Sequence, residues 1–284
     1  MLSEITPLIL TLNEAPNLQR LLDRLEWARE VVVLDSFSTD ATEAIARSYP
    51  NVTFARRPFD NFADQCNAGV DRIRSEWVLS LDADYLVTDE LRDEIAQLKG
   101  AADASAYVAR FRYYVAGRAL RGSLYPPRPI LFRRSKARYV QDGHAHRLIV
   151  DGPSRSLLGH VLHDDRKPLT RWLESQRQYA RQEACKLLEQ TDAPLSLADR
   201  LRRSIWPAAP AALVYTLLVK GCLFDGWPGW YYALQRTYAE LLLSLELLDR
   251  RTAQRGDPPR VVNVADEPRP RESQTSRHVE ATTA

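Results

Sequence analysis

Val31-Val-Val-Leu-Asp35-Ser-Phe-Ser-Thr-Asp40-Ala-Thr42 is the stretch on which the fold turns. Val31 to Leu34 carries no polar residue on either face, as a strand covered on both sides requires. The run ends at Asp35. Ser38 or Thr39 can cap a helix reaching about Ser48, and Asp40 complements its dipole. The same alternation holds on either side. Pro7 to Leu12 is a short apolar run that ends at Asn13-Glu14, and Leu18, Leu21, Leu22 and Leu25 then share one helical face. Asn51 to Phe54 is a third strand, and Asn61 to Arg74 a helix with Phe62, Cys66, Val70 and Ile73 inward. Trp77-Val-Leu-Ser-Leu81 is a fourth strand that ends at Asp82-Ala83-Asp84. This predicts an α/β fold, a mostly parallel sheet with helices on both faces. It also lines Asn13, Glu14, Asp35, Asp82 and Asp84 along one carboxyl edge, where open α/β sheets bind ligands.

Farther along, Tyr107 to Tyr114 alternates with period two, as a half-buried strand does. Tyr125-Pro-Pro-Arg-Pro129 reads as an irregular loop, Ile130 to Phe132 and Arg147 to Val150 as strands, and Asp151-Gly152 as a hairpin turn. From Pro168 the pattern is helical, with a charged amphipathic helix over Leu169 to Glu189 and a last helix from about Trp230 to Arg250. Between them, Ile205 to Val219 has no charge. Arg200, Arg202 and Arg203 precede it, and Trp227, Trp230, Tyr231 and Tyr232 follow it. That pattern suits a membrane interface or a helix buried on the core. Apolar residues thin out from Arg251 to Ala284, which predicts a disordered tail.

Composition bounds the function. Of 284 residues, 39 are Lys or Arg and 37 Asp or Glu, a net charge of +2, so nothing global favours nucleic acid. Hydrophobic residues at 45% exclude a wholly disordered or collagen-like chain. The three cysteines, Cys66, Cys185 and Cys222, are too few and too scattered for a disulfide scaffold or a metal cage, and suit free thiols in a reducing compartment. No signal peptide is evident, and no segment offers about 20 uninterrupted apolar residues. A cytoplasmic protein follows, with the inner-membrane face as a further expected surface.

Leu81-Asp82-Ala83-Asp84 is the most informative chemistry. Two carboxylates at i and i+2 after a buried strand point the same way. Together they suit Mg²⁺ or Mn²⁺, which prefer carboxylates plus phosphate oxygens. Such a cation would neutralise charge developing on a departing diphosphate. Asp35, at its own strand end, is placed to accept from a base or a ribose. Arg128 and Arg133, near the Pro-rich loop, carry the planar fork that suits phosphate.

Thr11-Leu-Asn13-Glu14, Val33-Leu-Asp35-Ser-Phe-Ser38-Thr-Asp40-Ala-Thr42 and Leu81-Asp82-Ala83-Asp84, in this order and spacing, resemble the family 2 glycosyltransferases of the GT-A fold. The likeness is nearest to the bacterial branch with the lipopolysaccharide core β-1,4-glucosyltransferases. Leu223-Phe-Asp225-Gly226-Trp-Pro-Gly229 is similar to a later segment of that branch. The resemblance implies a Rossmann-like GT-A domain over residues 1–165, a helical, membrane-associating region over 166–250 and a tail over 251–284. It implies a nucleotide-diphosphate donor, a UDP-sugar, and a hydroxyl acceptor on a cell-envelope glycan or lipid-linked saccharide. Inversion and metal dependence are the family's usual habit. Thr11, Asn13, Glu14, Asp35 and Ser38 would line the nucleotide pocket, with Gln65 and Asn67 on a bordering helix. Asp82 and Ala83 would meet the ribose or metal region, Asp84 would be the main metal ligand, and His163, late in the core, would complete the metal shell.

Two positions depart from that branch. Tyr85 stands where an acidic residue commonly follows the metal motif, and the acceptor-side segment reads Asp142-Gly-His144-Ala-His146 with no glutamate after either histidine. His144, Asp142 and His146 are therefore the candidate bases, His144 first. Asp164-Asp-Arg-Lys167 reads either as part of the site or as a solvated, self-paired charge run. The rivals are a degenerate GT-A protein that binds a glycan or partner, and a sugar-nucleotide pyrophosphorylase, which the lack of glycine in Thr11 to Asn17 disfavours.

Overall fold

The structure is a computed structural model that describes residues 1–98, 104–142, 145–189 and 196–254. In chain order the elements are β1 (Ile5–Thr11), α1 (Ala15–Leu22), β2 (Val31–Asp35), α2 (Thr42–Arg47), β3 (Val52–Arg56), α3 (Phe62–Val70), β4 (Trp77–Asp82), β5 (Tyr85–Val87) and α4 (Asp89–Gln97). Then come β6 (Ala106–Val115), β7 (Arg118–Ala119), β8 (Arg128–Arg133), β9 (Ala137–Asp142), β10 (Ala145–Val150) and β11 (Ser154–His163). The chain closes with α5 (Leu169–Glu189), α6 (Leu197–Arg203), α7 (Ala208–Val214) and α8 (Trp227–Gln254). His144 and residues 255–284 of the expected tail lie outside the described residues.

The main sheet runs β3-β2-β1-β4-β8-β6-β11-β5, with β7 on the flank of β6. β3, β2, β1 and β4 are parallel, so their carboxyl ends share one edge: Thr11 lies opposite Asp35, and Leu10 opposite Asp82. β8 and β5 run antiparallel to their neighbours, which makes the sheet mixed. One face packs against α1, α2 and α4 through Leu18, Leu21, Leu22, Ala46, Leu91 and Ile95. The other carries α3, with Ala63, Cys66 and Val70, and the small β9–β10 ribbon through Tyr139. The valine-rich β2, apolar on both sides, is buried throughout.

Local details depart from the sequence expectations. The second helix starts at Thr42, because Ser38 donates to Asp35 instead of capping, and Asp40 accepts from the Thr42 amide at 2.9 Å. Asp151-Gly152 is a turn, with Gly152 at φ 116°, but β10 pairs with β9 and β11 with β6 and β5, so it links two sheets instead of closing a hairpin. β11 carries an irregularity between Ser156 and His160, and the Glu94 carboxylate accepts from the Leu158 and Gly159 amides there.

The helical region packs in two places. Ala180, Ala184 and Leu187 of α5 meet Leu243 and Leu247 of α8 around Ile205. Tyr232 of α8 enters a cluster with Val115, Leu120 and Cys222, and its hydroxyl accepts from the Leu124 amide at 2.8 Å. The Leu223–Gly229 segment makes the turn into α8. Asp225 accepts from the Arg121 amide at 2.9 Å, and Gly226 adopts φ 64°. A Cβ on Gly229 would stand 1.8 Å from the Cys222 carbonyl oxygen, so only glycine fits. Residues Met1–Leu248 form one compact unit. Gly229→Ala should therefore cost about 1–3 kcal/mol of overpacking. A urea-unfolding midpoint checks this, and an unchanged midpoint would show that the turn is free to relax.

Candidate active site

The site is assembled at the carboxyl edge of the parallel strands. Asp35 is wholly buried there and accepts from Thr11 Oγ1 at 2.8 Å, the Ser38 amide at 2.7 Å and Ser38 Oγ at 2.5 Å. Ser38 Oγ in turn accepts from the Asn13 amide at 2.7 Å, and Asn13 Oδ1 from the Thr39 amide at 2.8 Å. Asn13 sits at φ 57° and Phe37 at φ 63°, conformations that these bonds hold in place. The loops after β1 and β2 are thus one rigid unit. Asp35 spends its oxygens on that unit in this structure.

Asp84 occupies the two-residue turn between β4 and β5. Its Oδ2 lies 3.2 Å from His163 Nε2, at the end of β11. The pairing of Tyr85 with His163 across β5 and β11 brings them together, and the Asp164 amide donates to the Asp84 carbonyl at 3.0 Å. Burial pushes the Asp84 carboxyl up, but His163 and Lys167 outweigh it and hold it down to about 2. Asp84 Oδ1 and His163 Nδ1 are buried without a hydrogen-bond partner. Among the described residues no three His, Cys, Asp or Glu side chains form a cage. A carboxylate and an imidazole with unspent lone pairs fit a Mg²⁺ or Mn²⁺ ion whose remaining ligands are substrate phosphates and water.

Tyr85, Tyr113 and Tyr125 surround the His163 ring at 5.3, 4.5 and 5.0 Å, and the Tyr85 and Tyr125 hydroxyls are bonded to each other. Tyr85 thus replaces an acid with a hydrogen-bonded wall. Arg128 lies 4.6 Å over the Tyr125 ring, and Asp82 acts on its charge. His146 packs on Tyr139 at 5.2 Å and Phe62 at 5.7 Å. Burial holds its imidazole below the ordinary histidine range, with Asp82 opposing and Arg128 reinforcing.

The charge run after β11 is an ion-paired network built around the buried Asp164, with Arg166 exposed. Asp164 bridges Arg20 at 2.6 Å and Arg166 at 2.7 Å. Asn17 donates to Glu14 and Asp165, each at 3.0 Å, and Lys167 reaches Glu14 at 2.6 Å. Burial pushes the Glu14 carboxyl up to about 7, with Lys167 opposing and Asp84 adding to the shift. Lys167 is held above its ordinary value by Asp84, Glu14 and Asp165 against burial.

The expected residues therefore divide. Thr11, Asn13, Glu14, Asp35, Ser38, Asp82, Ala83, Asp84, Arg128, His146 and His163 come to this edge. Gln65 lies behind it, donating to Ser36 at 3.0 Å and accepting from Arg57 at 2.7 Å. Asn67 is spent on β9, exchanging two 3.0 Å bonds with the Tyr139 backbone. Asp142 pairs with Lys186 at 2.7 Å. Arg133 lies at the other end of the sheet, opposite Trp77 and 4.6 Å over its ring. Sequence reasoning did not reach Tyr113, Tyr125 or Tyr179 of α5, whose phenol is pushed up by burial with Lys167 opposing and Asp82, Asp84 and Glu14 adding. Only the period-two pattern around Tyr113 offered a signal.

A family model described as glycosyl transferase family 2 matches residues 8–149, half of the 284-residue chain. The chain is 30% identical over 159 residues to the lipopolysaccharide core biosynthesis glycosyltransferase LpsC of Rhizobium meliloti, which covers 51% of this chain and 57% of that protein. It is 32% identical over 107 residues to an uncharacterized glycosyltransferase of Rickettsia bellii, covering 37% and 36%. The matched part thus spans 57% or less of these curated relatives. Among solved structures, S. aureus TarS 1–349 aligns with a TM-score of 0.46 at 16% identity, covering 89% of this chain and 92% of that one. Mycobacterium tuberculosis glucosyl-3-phosphoglycerate synthase with Mn²⁺, UDP and phosphoglyceric acid aligns at 0.46 and 16%, covering 68% and 80%. With a matched family model, a parallel sheet edge and the acidic turn after β4, this chain belongs to glycosyl transferase family 2, whose GT-A fold it has.

Proposed function

We propose that the chain transfers a sugar from a UDP-sugar to a hydroxyl of a cell-envelope glycan or lipid-linked saccharide, with inversion and with the help of a divalent cation. The observation that carries the reading is the half-buried Asp84–His163 pair, with unspent donor atoms, at the carboxyl edge of the parallel strands in a family 2 chain. The glycan acceptor is suggested by the relative named for lipopolysaccharide core biosynthesis.

In this reading the Asn13–Asp35–Ser38 unit shapes the nucleotide pocket before the donor arrives. Asp84 and His163 would hold the cation, which would supply charge neutralisation at the diphosphate. Asp82 and Arg128 flank the same place. His146, whose imidazole burial disfavours charging, takes the acceptor proton as the hydroxyl attacks the anomeric carbon, whose bond to the diphosphate oxygen breaks to release UDP. Residues 1–165 carry the chemistry, and 166–250 bring it to its acceptor.

That second role rests on the surface of the helical region. No helix among the described residues is long and apolar enough to cross a membrane. Thr216 and Leu217 are buried, but Trp206, Leu218, Val219 and Phe224 stand 78%, 61%, 66% and 69% exposed. From Ser204 to Ala239 the only acidic residue is Asp225, which is paired with Arg121. An aromatic, charge-poor surface of this kind suits the bilayer interface. Vesicles of phosphatidylethanolamine and phosphatidylglycerol should bind the chain, and Leu218→Ser with Phe224→Ser should weaken partition about ten-fold or more. Sedimentation with vesicles measures it, and equal partition of both proteins would refute the membrane role.

Release of UDP from a panel of UDP-sugars with Mn²⁺ tests the reaction. Asp84→Asn should lower turnover about a hundred-fold or more. If no UDP-sugar is bound or consumed by the unmodified chain, the reading fails; if it is bound, and by Asp84→Asn equally well, a binding module is favoured. His146→Gln should lower kcat about a hundred-fold with donor KM unchanged. The neutral imidazole is the active form, and its value is depressed. The unmodified enzyme should therefore keep its kcat until the pH falls below the ordinary histidine range, and a profile without that acid limb would reject His146 as the base.

A further inference from the structure

Some arginines around the site are matched to carboxylates, whereas Arg128 and Arg236 lie over aromatic rings instead. Arg20 and Arg166 bracket Asp164, and Arg202 grips Glu240 through three contacts of 2.6 to 3.1 Å. Arg236, on α8, has no such partner among the described residues. Its guanidinium carbon lies 5.4 Å from the Tyr232 ring centroid and 5.7 Å from that of Trp172. Its Nε is buried and makes no hydrogen bond. Two aromatic rings thus hold a charged fork in place while its donors stay unspent.

Its place in the molecule gives this meaning. Tyr232, one turn before Arg236, packs 4.7 Å from Tyr113, and Tyr113 packs 4.5 Å from His163, the partner of Asp84. A guanidinium stacked on aromatic faces and lacking a carboxylate is arranged to take an oxyanion in two parallel bonds.

We propose that Arg236 is a phosphate-binding residue of the site, taking the oxygens of a substrate phosphate from the α8 side. The proposal rests on the nucleotide-sugar reading above. The phosphate belongs either to the donor diphosphate or to a phosphorylated acceptor, and the chemistry of capture is the same.

Calorimetric titration of the full chain separates these cases, using UDP with Mn²⁺, uridine alone, and inorganic phosphate added to the UDP-loaded protein. If the phosphate is the donor's, Arg236→Gln weakens UDP binding about ten-fold or more and leaves uridine unchanged. Arg236→Lys, which keeps the charge and loses the fork, falls between them. If the phosphate is the acceptor's, Arg236→Gln leaves UDP unchanged and abolishes binding of inorganic phosphate. If Arg236→Gln weakens uridine as much as UDP, Arg236 is merely structural and the proposal falls. It also falls, with the nucleotide-sugar reading intact, if the unmodified chain binds UDP and Arg236→Gln alters neither UDP nor phosphate. If the unmodified chain binds no UDP, the two fail together.

Discussion

Asp35 is a carboxylate with no access to water, and three protein donors converge on it. Bonds to a buried charge are worth about 1.5–3 kcal/mol each, and leaving such a charge unpaired costs more. The loop after β1 and the loop after β2 therefore cannot move apart without exposing or stranding it. The left-handed backbone of Asn13 and Phe37 is held by the same constraint. From this rigid corner the chain continues into Glu14 and α1, whose Asn17 and Arg20 fasten the segment after β11. That segment fixes Lys167 next to Glu14 and follows directly on His163, the partner of Asp84. The geometry of the acidic turn is thus set through a continuous network that starts at one buried carboxylate.

The strand–helix alternation from β1 to β4 was legible because each element carries its own signal. The valines of β2 and the leucines of α1 announce their period within a few residues. β11 carried no such signal. Its ten residues are mostly exposed or half-buried, and its pairing with β6 spans about 50 residues of chain, a contact that no local pattern encodes. The Asp151-Gly152 turn misled for the same reason: its local chemistry is that of a hairpin, while its partners lie in separate sheets.

The candidate site was readable where chemistry follows a strand end. Asp35, Asp82 and Asp84 stood out by their position in the pattern, and His163 entered as a candidate through the family resemblance, as a residue late in the core. The walls were not readable. Tyr113, Tyr125 and Tyr179 have ordinary roles until β11 and α5 bring them beside His163 and Lys167. Arg128 and Arg133 look equivalent in sequence, yet the antiparallel run of β8 sends them to opposite ends of the sheet. Asn67 has the right residue type for a ligand contact, but both ends of its amide are taken by the backbone of β9.

Anomalous diffraction at the manganese edge, from crystals grown with UDP and Mn²⁺, tests the central claim most directly. The account predicts one manganese peak within coordination distance of Asp84, bridging to the diphosphate, with the uridine against the Asn13–Ser38 corner. Manganese bound elsewhere, or a nucleotide lying away from the carboxyl edge of β1, β2 and β4, would contradict it.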